Sequence, residues 1–144
     1  MMIAAARRPF DVLLAEDDAG DAMLVEEAFA SRGVGHHLHI VGDGVDALAY
    51  LRDPTRERPD LIILDLNMPR MGGREALSLI KEDQELRTIP VVVLTTSQAP
   101  DDVRTSYRLH ANAYVCKPQT LDAFIEAVQS IDDFYLDFVR LASD

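Results

Sequence analysis

Three short runs of unbroken apolar residues, each closed by polar or charged ones, constrain this chain more than any other feature. They are Val12-Leu13-Leu14-Ala15, Leu61-Ile62-Ile63-Leu64 and Val91-Val92-Val93-Leu94. Each is too short for a buried helix, and each has the pattern of a strand covered on both faces. Leu38 to Val41 and Ala113 to Cys116 are two weaker strand patterns. Apolar residues at helical spacing fill the intervals. They are Leu24, Val25, Ala28 and Phe29, with Gly33 as the expected stop; Val45, Leu48 and Leu51, ending before Pro54; Ala76, Leu77 and Ile80; Val103 and Tyr107; and Leu121, Phe124, Ile125 and Val128 after a Thr120 N-cap.

Alternation of this kind predicts an α/β fold, a doubly wound parallel sheet of five βα units with helices on both faces. Right-handed crossovers leave few topologies, and the flavodoxin-like (βα)5 order 2-1-3-4-5 is the one expected. The expected organisation is an N-terminal extension over 1–9, one domain over 10–130 and a helical, aromatic C-terminal extension over 131–144. The sum of 14 basic and 25 acidic residues, a net charge of −11, speaks against duplex nucleic acid and anionic membrane surfaces as partners. No segment approaches the roughly 20 apolar residues of a membrane span. With the single Cys116, expected as a buried apolar filler, this suggests a cytoplasmic protein.

The residues that follow the strands carry the chemistry. Glu16, Asp17 and Asp18 follow the first strand, Asp65 the third, Thr95-Thr96-Ser97 the fourth, and Lys117-Pro118 the fifth. In a parallel sheet all of these fall on the carboxyl edge, where α/β proteins bind ligands. Converging carboxylates repel unless a cation enters, and Mg2+ suits hard oxygen ligands beside a phosphate. Asp65 can then supply an attacking oxygen, Lys117 a point charge, and Thr95 a hydrogen bond to phosphoryl oxygens. No P-loop is present, and Gly42-Asp43-Gly44 lacks the third glycine of a dinucleotide-binding turn. His36, His37 and His39 invite a metal reading, but alternation along a strand prevents all three from converging.

The segments Val12-Leu-Leu-Ala-Glu-Asp-Asp18, Leu64-Asp-Leu-Asn-Met-Pro69, Pro90 to Thr95 and Tyr114-Val-Cys-Lys-Pro118 resemble the response regulator receiver family of two-component systems, over about residues 10 to 130. The resemblance implies that Asp65 is the phosphoacceptor and that Glu16 and Asp17 are the acid pair for Mg2+. It implies that Asn67 completes the metal shell through its carbonyl, that Thr95 and Lys117 meet the phosphoryl group, and that Thr95 and Tyr114 form the switch. It also implies a cis Lys117–Pro118 bond. Glu16 stands where many receivers have Asp, and its longer arm favours contact with metal-bound water. Leu94-Thr-Thr-Ser97, Ser106-Tyr107 and Ser130-Ile-Asp-Asp-Phe-Tyr-Leu136 resemble the phytochrome-partner subgroup of single-domain receivers.

On this reading the chain is a phosphoacceptor switch and not an enzyme, beyond self-phosphorylation from small donors and slow self-dephosphorylation. A sensor histidine kinase, a phytochrome by the subgroup resemblance, donates to Asp65. The output goes to an effector or a histidine phosphotransfer protein. Phe134, Tyr135 and Phe138 form an apolar stripe and are the expected homodimer interface. Two rivals are weaker. A haloacid dehalogenase-like phosphatase needs an acid where Asn67 stands. A phosphate-independent receiver-like interaction domain has no need of the acid pair and lysine that this chain keeps.

Overall fold

The computed structural model describes residues 9–32 and 35–138, the side chains of Asp137 and Phe138 excepted. Five strands alternate with five helices: β1 (Asp11–Ala15), α1 (Ala19–Ala30), β2 (His37–Val41), α2 (Gly44–Arg52), β3 (Leu61–Leu64), α3 (Gly73–Glu82), β4 (Val91–Thr95), α4 (Pro100–Arg108), β5 (Ala113–Cys116) and α5 (Leu121–Asp133). A π-helical segment, Phe134–Phe138, continues α5. The strands form one parallel sheet in the order β2-β1-β3-β4-β5, as expected.

The unbroken apolar runs are explained by the two cores that the sheet separates. Successive strand residues point to opposite faces. Val12, Leu14, Leu61, Ile63, Val92 and Leu94 therefore pack with Val25, Ala28 and Phe29 of α1 and with Phe124, Val128 and Ile131 of α5. Leu13, Ala15, Ile62, Leu64, Val91 and Val93 pack with Ala47 and Leu48 of α2 and with Ala76, Leu77 and Ile80 of α3. Each central strand thus has apolar neighbours above and below, and β1, β3 and β4 are almost wholly buried.

The edge strands differ, and Cys116 with them. β5 has a partner on one side only, its residues are partly covered, and Cys116 is exposed rather than a core filler. Helix α1 ends at Ala30, three residues before the expected stop, with Ser31 as its cap; Gly33 itself lies outside the described residues. No peptide bond among the described residues is cis, so Lys117–Pro118 is trans here, contrary to expectation. The tertiary amide before proline separates the two isomers by only about 0.5–1 kcal/mol, so neither is excluded by local chemistry. Thr120 caps α5 as expected, accepting from the Ala123 amide. No described helix is long and apolar enough to cross a membrane.

Close packing of α3 sets the position of the loop after β3. The Gly73 amide donates to the Leu66 carbonyl at 2.9 Å, and a Cβ at Gly73 would collide with the Asp65 carbonyl and the Leu66 Cα. Those atoms are backbone and cannot rotate away. Gly73→Ala is therefore expected to destabilise the fold by about 1–3 kcal/mol, the usual range for overpacking. Urea unfolding measures this directly, and an unchanged midpoint would show that α3 can move off the strand.

Candidate functional site

Glu16 and Asp17 are carried by the turn between β1 and α1, Asp65 by the residue after β3, Thr95 by the end of β4, and Lys117 by the residue after β5. Backbone hydrogen bonds fix three of these positions to neighbouring strands. The Glu16 amide donates to the Val41 carbonyl, the Asp65 amide to Ala15, and the Lys117 amide to Thr95, at 2.9, 3.0 and 2.7 Å. Register therefore determines where the side chains meet.

They meet as a cluster of charge. Oxygens of Glu16, Asp17 and Asp65 lie within 4.8 Å of one another, and these residues form the one such acidic or metal-ligating group of three among the described residues. The Lys117 ammonium reaches Glu16 Oε1 at 2.5 Å, Asp21 Oδ2 at 2.8 Å and Asp65 Oδ2 at 3.3 Å. The Asn67 amide faces Asp65 Oδ1 at 3.4 Å. Asp17 is exposed, whereas Glu16, Asp65 and Lys117 are almost closed off from solvent.

One ammonium cannot neutralise three carboxylates, and the titration of the groups reflects that shortage. Burial pulls Lys117 toward neutrality, but hydrogen bonds to Asp21 and Glu16 and the Asp65 charge outweigh it and hold the ammonium firmly protonated. Glu16 moves the other way, up to about 7. Its burial is the main cause, the Lys117 hydrogen bond opposes it, and the Asp65 charge adds to it. A cation among these oxygens would remove the conflict. Three hard, closely spaced oxygen donors fit a divalent ion of the Mg2+ type.

Thr95 is wholly buried, and its Oγ1 has no hydrogen-bond partner among the described residues. Tyr114 is partly buried, and its hydroxyl donates to the Ser97 carbonyl at 2.8 Å. Ser97 in turn donates to Asp102, which is also paired with Arg74 of α3. These contacts tie the loop after β4 to α3, α4 and β5.

The histidines divide as strand alternation requires. The His36 side chain is buried, accepts from the Phe10 amide at 2.9 Å and meets Asp132 at 3.1 Å, while His37 and His39 flank Asp11. The tail lies apart from the acidic cluster: Leu136 is buried, Tyr135 packs partly onto the core, and Phe134 is 53% exposed. The side chain of Phe138 lies outside the described residues.

Sequence reasoning passed over Asp21 and the Ser97–Asp102–Arg74 chain. Asp21 reads as an ordinary acid in the first turn of a helix. Its place in the first turn after the strand that ends in the acid pair was the only available signal.

A five-stranded parallel sheet that gathers three acids, a buried hydroxyl and a lysine at its carboxyl edge defines the phosphoacceptor class of α/β proteins. The model of the response regulator receiver domain matches residues 12–129, and the chain belongs to that family. It is 44% identical to response regulator Rcp1 of Synechocystis sp. over 92% of this chain and 93% of Rcp1. The Mn2+-bound crystal structure of Rcp1 superposes with a TM-score of 0.88, covering 92% of this chain and 99% of that one. The phosphorylated cyanobacterial phytochrome response regulator RcpA superposes at 0.90, with 43% identity over 93% of this chain and 99% of its own. The probable methanogenesis regulatory protein FilR2 of Methanothrix harundinacea is 40% identical over 96% of this chain and 91% of its length.

The raised pKa of Glu16 makes a test without any phosphodonor. In the unfolded chain Glu16 ionises near 4.5, and in the fold near 7. Between these values the folded state holds the extra proton, so stability falls as pH rises through the window. In chelator the loss across it is expected to be on the order of 1–3 kcal/mol, and millimolar Mg2+ should abolish it. Glu16→Gln should flatten the chelator profile. A slope that Glu16→Gln leaves intact would assign the effect to another group.

Proposed function

We propose that this chain is a phosphorylation switch in which a sensor histidine kinase transfers a phosphoryl group to Asp65 in the presence of Mg2+. The observation that carries the reading is the convergence of Glu16, Asp17 and Asp65 on Lys117 at the carboxyl edge of the sheet. An Asp65 carboxylate oxygen attacks phosphorus, the phosphorus–nitrogen bond of the kinase phosphohistidine breaks, and its electron pair returns to the imidazole. Glu16, Asp17, Asp65 and the Asn67 carbonyl would hold the metal, which neutralises charge on the transferring oxygens when bound. The Mn2+ form of Rcp1 supports a divalent site of this kind.

Lys117 meets the charge of the new phosphoryl group, and Thr95 offers a hydroxyl that has no other partner among the described residues. A rotation of Thr95 toward the phosphoryl oxygen frees space beside β4. Tyr114 then leaves the Ser97 carbonyl and turns inward, changing the surface of β4, α4 and β5. Residues 10–130 form the receiver unit of this scheme, and residues 131–144 are an added extension. The signal passes by protein contacts, to an effector or to a histidine phosphotransfer protein, in the cytoplasm. A phytochrome is the kinase favoured by the likeness to RcpA, itself a phytochrome response regulator. A phosphatase of the haloacid dehalogenase type is disfavoured because Asn67 stands where the general acid is needed.

Intact mass after incubation with a small phosphodonor and Mg2+ tests the reading. One phosphoryl group should add to the wild type, none without Mg2+, and none to Asp65→Asn. Addition to Asp65→Asn at the wild-type rate would refute it.

The extension adds a homodimer. Phe134 stands out from the surface beside an apolar groove that includes Val92, Val115, Ala127 and Ile131. An exposed aromatic next to such a groove is the usual anatomy of an interface core. Phe134, Tyr135 and Phe138 supply the contact in this scheme. Light scattering should give the dimer mass for the wild type and the monomer mass for Phe134→Asp. A monomeric wild type at high concentration, with and without phosphorylation, would end the proposal.

A further inference from the structure

The phosphoryl-transfer scheme gives Asp21 no role, yet its Oδ2 lies 2.8 Å from Lys117 Nζ, nearer than Asp65 Oδ2 at 3.3 Å. We propose that Asp21 is the resting counter-ion of Lys117, a positioning residue that occupies the ammonium until a phosphoryl group on Asp65 takes it over. The inference rests on the reading of Asp65 as the phosphoacceptor.

An ammonium has three N–H donors, and Glu16, Asp21 and Asp65 supply one acceptor each. The donor set of Lys117 is therefore full in the unphosphorylated chain. A phosphoryl group brings further anionic oxygens, and one of the present partners must give way. Glu16 has a side chain only 2% exposed, so losing the lysine would strand its carboxylate out of reach of water. Asp65 carries the phosphoryl group itself. Asp21 is 30% exposed and can exchange the ammonium for water at little cost, so it is the partner released.

Its backbone is meanwhile fixed, because the Asp21 amide donates to Asp18 Oδ1, the N-cap of α1, at 2.9 Å. The carboxylate is thus presented to Lys117 by the first turn of α1. An interaction present in the resting state and absent in the phosphorylated one lowers the affinity for the phosphoryl group. Removing it shifts the balance toward the phosphorylated form.

Calorimetric titration with beryllofluoride, a phosphoryl mimic, at saturating Mg2+ tests this. Asp21→Asn keeps shape and loses charge, and should bind the mimic about fivefold more tightly than wild type, the equivalent of one partly screened ion pair. Asp21→Glu, which restores the charge, should return affinity to the wild-type value. Glu26→Gln removes a charge from the same helix outside the Lys117 set and should leave affinity unchanged. Unaltered or weaker binding by Asp21→Asn overturns the assignment. So does equal tightening by Glu26→Gln, which would make the effect one of net charge. A wild type that fails to bind the mimic at all removes the phosphoacceptor reading itself, whereas a binding wild type with an indifferent Asp21→Asn removes only the role of Asp21.

Discussion

Everything at the carboxyl edge of this sheet depends on one buried ammonium. Lys117 is enclosed by Glu16, Asp21 and Asp65, and its own side chain is only 6% exposed. In a poorly solvated pocket a lone charge of either sign is costly, so the lysine and its partners are tolerated only together. The arithmetic nevertheless leaves an excess of negative charge. Glu16 meets it by holding its proton up to about 7, and a divalent cation would meet it better. The same excess that makes the site uncomfortable would make it receptive to such a cation.

The frame around this site was largely readable in the sequence, and for a definite reason. Val12–Ala15, Leu61–Leu64 and Val91–Leu94 are buried on both faces, so every residue in them must be apolar and the pattern is unambiguous. Strand ends then locate Glu16, Asp65, Thr95 and Lys117 without further information. Legibility fails at the margins of the sheet. In β5 apolar residues are compatible with either a covered or a bare position, and Cys116 proves to be bare. Helix α1 stops at Ala30 because Ser31 can cap its carbonyls, and sequence alone gives that residue no precedence over a nearby glycine.

What stayed hidden shares one property: its meaning lies in partners remote along the chain. Asp21 and Lys117 are 96 residues apart, and nothing local marks the aspartate as more than a helix-start acid. Asp102 is likewise an unremarkable first-turn acid of α4 until Arg74 and Ser97 are seen on either side of it. His36 illustrates the same limit at the other end of the molecule. Its ring is enclosed between Phe10 and Phe29 and meets Asp132 near the end of α5, which helps secure the last helix to the first.

The strand order carries a consequence for biosynthesis. β1 lies between β2 and β3, so both sheet neighbours of its acids come within the first three strands, while their neutralising lysine follows 101 residues after Glu16. A nascent chain that has exposed only the first three βα units carries Glu16, Asp17 and Asp65 without their cation. It lacks Thr95 as well as Lys117. The charged cluster is thus completed only when the last strand pairs with β4.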